Sequence, residues 1–196
     1  MRPSPFLASA LLLLGCEPDP APRSYTVPRE PAEARPAPAP ESGKPAVAAT
    51  AEMAAEAAKA GQPRYPSAPA DWKAKDPGAM RKGSWAVGPA DKAADLAVTV
   101  FPGDVGGRLA NINRWRQQLG LPPGDAEMFD AIQLAKVGRL QGEVVQFASA
   151  DGATATRAVM VAHQGSTWFF KLTGPAATVQ AAARPFDDFV ARTELP

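Results

Sequence analysis

Few residues in this chain are equipped for chemistry. There is one cysteine, Cys16, and one histidine, His163. A single thiol closes no disulfide within the chain, and one thiol with one imidazole makes no zinc site of the Cys/His kind. His163 ends a β-like run directly before Gln164-Gly165. An imidazole titrates near neutrality, yet no Ser or Cys motif marks a nucleophile for it to activate. Asp187-Asp188 stand together on a terminal helical run without a glycosidase-like context. Phe101-Pro102-Gly103-Asp104-Val105-Gly106-Gly107 runs from a strand into a helix, where exposed backbone N–H groups can hold an anion. It lacks the Gly-Lys-Ser/Thr ending of a P-loop and the spacing of a dinucleotide fingerprint, and Asp104 repels phosphate. The expectation is no catalytic residue, no metal and no cofactor.

The polar set with most to offer follows that loop. At 100° per residue, Leu109, Ile112, Trp115 and Leu119 fall on one apolar stripe, and Asn111, Asn113, Arg114, Gln117 and Gln118 fall on the other side. Amides and guanidinium suit bidentate hydrogen bonding to a peptide, a sugar or another planar group. The same face also reads as an ordinary solvated helix surface rich in Gln and Asn. Arg116 projects between Leu109 and Ile112, so it must snorkel past the core edge or meet a carboxylate or carbonyl. These six polar residues, Arg116 included, are the candidate binding set.

The elements that must position this helix lie in the second part of the chain. Of 22 prolines, 14 lie at or before Pro69, and nearly all the β-branched and aromatic residues come later. From Tyr65 onward there are 14 Lys and Arg against 13 Asp and Glu, without the basic excess of a nucleic-acid binder. Residues 65–196 are therefore expected to form one globular domain, large enough to bury roughly two-thirds of its unfolded surface. Ser84–Val87 and Leu96–Phe101 read as strands, about Arg108–Leu119 as a helix, and Ala126–Ile132 as a short helical turn. Gln133–Val137, Gly142–Ala148, Thr154–His163 and Thr167–Thr173 follow as β-like runs separated by Gly-containing turns. A last helix starts near Pro175, with Pro185 expected to kink or interrupt it, and Phe186, Phe189 and Val190 repeat at helical spacing over the core. Trp72, Trp85, Trp168 and Phe169 are expected core residues. This order predicts an α+β fold with an antiparallel sheet flanked by helices.

Ahead of the domain, Phe6–Leu14 is an apolar run of nine residues behind Arg2. A membrane span needs about 20, so residues 1–15 read as a signal peptide. The run ends in Leu13-Leu14-Gly15-Cys16, which resembles a bacterial lipobox. The resemblance implies cleavage before Cys16 and acyl chains, palmitate among them, on that thiol and the new amino terminus. More than one chain gives stable anchoring where one does not. Glu17, rather than Asp, after the cysteine favours the periplasmic face of the outer membrane over the inner membrane. Residues 16–64 are rich in Pro, Ala and Glu and bury too little apolar surface to order themselves. Ala51–Ala60 has helix propensity but is short and alone. The segment reads as a spacer reaching up to roughly 100 Å, or as a passive linker.

Two further resemblances rest on specific strings. The element order, Pro69 to Trp72 leading in, the late strand before a helix and the closing Phe-rich helix look like the PsbP-like fold. Asn111-Ile112-Asn113-Arg114-Trp115-Arg116-Gln117-Gln118-Leu119-Gly120-Leu121-Pro122-Pro123 and Trp168-Phe169-Phe170-Lys171-Leu172-Thr173-Gly174-Pro175 resemble a group of uncharacterised bacterial lipoproteins with a proline-rich linker. PsbP-like proteins dock on other proteins and are not enzymes. The resemblance implies a non-enzymatic accessory module with an envelope protein as partner. The alternative is a small-ligand binder with a pocket between sheet and helix, reported by Trp115 or Trp168.

Overall fold

The computed structural model describes residues 51–125, 128–129 and 132–196. The expected signal peptide at 1–15, the lipidation string Leu13, Leu14, Gly15 and Cys16, and the spacer up to residue 50 lie outside the described residues. The helical turn expected over 126–132 lies partly outside them; its Met128 and Phe129 are helical, and Phe129 is buried.

Seven strands form one sheet: β1 (Trp72–Ala74), β2 (Arg81–Val87), β3 (Ala94–Pro102), β4 (Gln133–Val137), β5 (Leu140–Ala148), β6 (Thr154–His163) and β7 (Ser166–Pro175). Their spatial order is β1-β2-β3-β7-β6-β5-β4, and every neighbouring pair is antiparallel. The helices are α1 (Ala51–Lys59), α2 (Gly107–Gln118), α3 (Ala176–Ala181) and α4 (Ala183–Arg192). The antiparallel sheet flanked by helices that the residue pattern predicts is the architecture observed.

Strand alternation sends side chains to opposite faces, and both faces are covered. On one face, Val98, Phe170 and Val159 form a fully buried row across β3, β7 and β6, with Val100, Trp168 and Val161 beside it. α4 lays Phe186, Phe189 and Val190 on these rows, α3 adds Val179 and α1 adds Ala57. On the other face, Ile112 and Trp115 of α2 pack with Val145, Ala158, Met160 and Phe169. Phe169 is buried because this second layer exists, and Trp115 meets its ring edge to face at 5.6 Å.

Three local expectations are corrected. First, the break in the closing helix falls at Ala182, between α3 and α4, not at Pro185. Pro185 sits in the first turn of α4, where no intrahelical donor is needed from it. Second, the packed part of the chain starts before Tyr65. Ala57 is 2% exposed, the Gln62 side chain donates to the Lys82 carbonyl, and the Arg64 and Glu194 backbones pair in both directions. The small Ala57 lets α1 lie close against the core, and a short helix standing alone in sequence gives no sign of the surface it packs on. Third, on α2 the inward side is Asn111, Ile112, Trp115 and Leu119, whereas Leu109 is 41% exposed.

An aromatic cluster anchors one end of the first face. Phe189 touches Tyr65 (5.7 Å), Trp72 (5.3 Å) and Trp85 (5.1 Å), and Tyr65 meets Trp85 at 5.0 Å. The buried Tyr65 hydroxyl has no hydrogen-bond partner among the described residues, and burial pushes its pKa far above the usual phenol value. A buried hydroxyl without a partner costs stability. Tyr65→Phe is therefore expected to leave thermal stability unchanged or raise it by about 1 kcal/mol. A fall of that size in a calorimetric melt would show that the hydroxyl is satisfied after all.

Candidate functional site

The start of α2 explains much of what its polar residues do. Gly106 precedes the helix with φ 83°, a conformation suited to glycine, and no side chain caps the helix from outside. The Gly106 N–H instead donates to Asp104 Oδ1 at 3.2 Å. From inside, the Asn111 amide donates to the Gly107 carbonyl at 2.8 Å and to the Val105 carbonyl at 3.3 Å. Its Oδ1 accepts from Arg114 Nη1 at 2.9 Å. Asn111 is 1% exposed, so it does not belong to the outward polar face. A buried amide at this position satisfies its own hydrogen-bonding groups while tying the loop before α2 to the first turn of the helix.

Two more of the candidate residues tie down the chain after α2. Asn113 exchanges two hydrogen bonds with the Gly124 backbone, donating at 3.2 Å and accepting at 2.9 Å. Arg116 Nε donates to the Pro122 carbonyl at 2.8 Å, and its guanidinium lies 5.3 Å from the Phe147 ring centroid. The carbonyl, not a carboxylate, satisfies this arginine. Leu121 and Pro123 are thereby held beside the outer side of α2. Between them lies a groove of about 420 Å³, lined by Ala110, Asn113, Arg114, Gln117, Leu121 and Pro123. Arg114 and Gln117 are exposed along it. Gln118 turns the other way, and its Oε1 accepts from Lys171 Nζ at 2.8 Å. The structure thus brings Asn113, Arg114 and Gln117 together along the groove, places Asn111 beneath Arg114 as its buried hydrogen-bond acceptor, and directs Arg116 and Gln118 elsewhere.

The alternative of a ligand pocket between sheet and helix meets a filled interior, since Ile112, Trp115, Met160 and Phe169 occupy that space. His163 Nε2 lies 2.8 Å from the Pro196 carbonyl oxygen, at the mouth of a small cavity of about 180 Å³ shared with Lys59, Ser166 and Trp168. Among the described residues no three His, Cys, Asp or Glu side chains gather as metal ligands, and no helix is long and apolar enough to cross a membrane.

A second polar constellation escapes sequence reading. One row of the α2 face runs Lys75, Ser84, Ala97, Lys171 and Ala158, contributed by the β1 end, β2, β3, β7 and β6. The ladder shifts between Arg81 and Gly83, so Arg81 joins this face instead of following Gly83 to the other. There Asp95 receives Lys75 Nζ at 2.6 Å and Arg81 Nη1 at 3.0 Å, and Arg81 also donates to Ser84 Oγ at 3.0 Å. Burial pushes the Lys171 ammonium below the usual lysine pKa; Arg81 lowers it further and Asp95 partly opposes both. The participants come from four strands and share no motif, so their spacing in sequence carries no signal.

No family model matches the chain, and no curated protein does either. Solved structures similar to it include a Bacteroides thetaiotaomicron VPI-5482 protein, at 14% identity and TM-score 0.42 over 70% of this chain and 49% of the other. This chain thus matches about half the length of that protein. Cyanobacterial PsbP (CyanoP) from Synechocystis sp. PCC 6803 is similar at 11% identity and TM-score 0.43, over 69% of this chain and 93% of its own. LpqN of Mycobacterium tuberculosis, described as involved in cell envelope biogenesis, is similar at 17% identity and TM-score 0.40, over 69% of this chain and 86% of its own.

Proposed function

We propose that this chain is a lipid-anchored cell-envelope protein whose folded part is a non-enzymatic binding module for another envelope protein. The observation that carries this reading is Leu13-Leu14-Gly15-Cys16 directly closing the apolar run Phe6–Leu14. In it, acyl chains on Cys16 set location, the Pro- and Ala-rich segment before Ala51 sets reach, and confinement near the membrane raises effective concentration so that a modest contact suffices. The contact surface is the groove beside α2, where Arg114 and Gln117 offer guanidinium and amide donors over the apolar side chains of Leu121 and Pro123.

The first test is location. Cys16→Ser is expected to move the protein from the membrane fraction to the soluble fraction, and mass spectrometry of the wild type should find a diacylglycerol-modified Cys16 at the amino terminus. An unacylated wild-type protein retaining residues 1–15 overturns the anchor. The second test is contact. Crosslinking from the groove is expected to capture one stoichiometric envelope protein, with recovery reduced about tenfold when Arg114 and Gln117 are both changed to Ala. Equal recovery from the wild type and the double variant overturns the groove as the surface.

A further inference from the structure

The half of the α2 face that lies over β1, β2 and β3 carries an unbalanced set of charges. α2 packs over the β5, β6 and β7 side, with Val145, Ala158, Met160 and Phe169 beneath it. Beside that layer, three cations surround a single carboxylate: Lys75 and Arg81 contact Asp95, and Lys171 stands one strand away on the Ala97 row. Among the described residues, Arg64–Glu194 and Arg157–Asp187 each match one cation to one carboxylate. Lys171 differs from them. It is half-buried, burial lowers its pKa, and its hydrogen-bond acceptor among the described residues is the neutral Gln118 amide. Gathering like charges with so little compensation creates a local positive potential that attracts an anion.

We propose that Lys75, Arg81 and Lys171 form a receptor site for a soluble phosphate monoester or phosphate ion, with Asp95 and Gln118 as the groups that hold the three cations apart. The charge count favours this class. Three cations less one carboxylate leave two uncompensated positive charges, and a phosphate monoester carries about −1.5 to −2 near neutral pH. The donor types agree as well. Arg81 supplies a planar fork, Lys75 and Lys171 supply point charges, and Gln118 Nε2 remains a donor because Oε1 is engaged by Lys171. The floor is low enough to admit the ion, since Ser84, Ala97 and Ala158 are the row neighbours of the two lysines. Asp95 limits affinity, which gives the site a signature: removing its charge should strengthen binding. The site is separate from the groove lined by Arg114 and Gln117 and depends on neither that contact nor the lipid anchor.

The test uses the full chain with Cys16→Ser and inorganic phosphate as the probe, at constant ionic strength against sodium chloride. Phosphate should shift the Gln118 side-chain amide and Arg81 Nε resonances saturably, with chloride producing no such curve. Lys171→Met, which keeps the apolar stem, and Arg81→Gln should each weaken phosphate binding by about tenfold or more. Asp95→Asn should tighten it. Arg81 is half exposed, so Arg81→Gln carries the test if Lys171→Met lowers the melting temperature. Equal responses to phosphate and chloride, or weaker binding in a folded Asp95→Asn variant, would overturn the proposal. So would association with phosphatidylglycerol vesicles without a response to free phosphate, which would make the patch a membrane contact.

Discussion

Phe189→Ala is expected to cost about 3–5 kcal/mol, the range for removing a large side chain from a packed core. Phe189 is fully buried and is the residue shared by Tyr65, Trp72 and Trp85, so its loss opens a space bounded by three rings instead of one. The rings belong to the segment before the sheet, to β1 and to β2, while Phe189 itself belongs to α4. The cavity therefore loosens the attachment of the last helix and the first strands together. In a domain of this size the melting temperature should fall by about 10 °C or more. The near-ultraviolet circular dichroism of Trp72 and Trp85 should weaken in parallel. Phe189→Leu keeps most of the apolar area and is expected to cost about 1.5 kcal/mol or less. A loss below about 1 kcal/mol for the alanine variant would show that the rings close over the gap.

Asn111→Ala is expected to cost about 2–3 kcal/mol, because it removes a buried amide and its hydrogen bonds to the backbone around the helix start, not a solvated side chain. In the native arrangement the amide ties the Gly107 and Val105 carbonyls to the first turns of α2, and Arg114 leans on its oxygen. Without it the left-handed turn at Gly106 keeps only the Asp104 carboxylate as a side-chain partner. Amide hydrogen exchange should accelerate over 104–111, and Arg114 should lose its fixed position over the groove. Gln117→Ala, one exposed position further along the same helix, should change stability by less than about 0.5 kcal/mol. If both variants behaved alike, Asn111 would be the surface residue that helical periodicity suggests, and the internal capping role would fall.

Asn111 shows why helical phase alone is an incomplete guide. A period of 3.6 assigns positions to sides of a cylinder, and polar type then assigns them to water. Here the loop preceding α2 leaves carbonyls facing inward, so the polar residue turns in and Leu109 turns out. Arg116 was legible as unusual, and it meets a backbone carbonyl, one of the partners its position requires. α1 was legible as helix-forming but not as packed, because a short isolated helix shows no partner in its own residues, and only the folded core supplies the surface that receives Ala57. Arg157 stands in the row beside Leu172, and distant elements account for it: α4 presents Asp187 to its guanidinium at 2.6 and 2.9 Å, and Gln146 of β5 accepts from it at 2.9 Å.

What the residue order determined by itself was everything carried by short-range pattern. The alternation of apolar residues set the strands, glycine and proline set the turns, and the apolar run ending at Cys16 set the expectation of an anchor. What only the tertiary structure decided was which residues meet across strands distant in the chain. The ladder placed Lys75, Arg81, Asp95 and Lys171 on one open surface, and the shift at Arg81 chose the face. A local pattern encodes the conformation of a segment. A site assembled from four strands exists only when register and a bulge bring its side chains together, and neither is written in the spacing of the residues themselves.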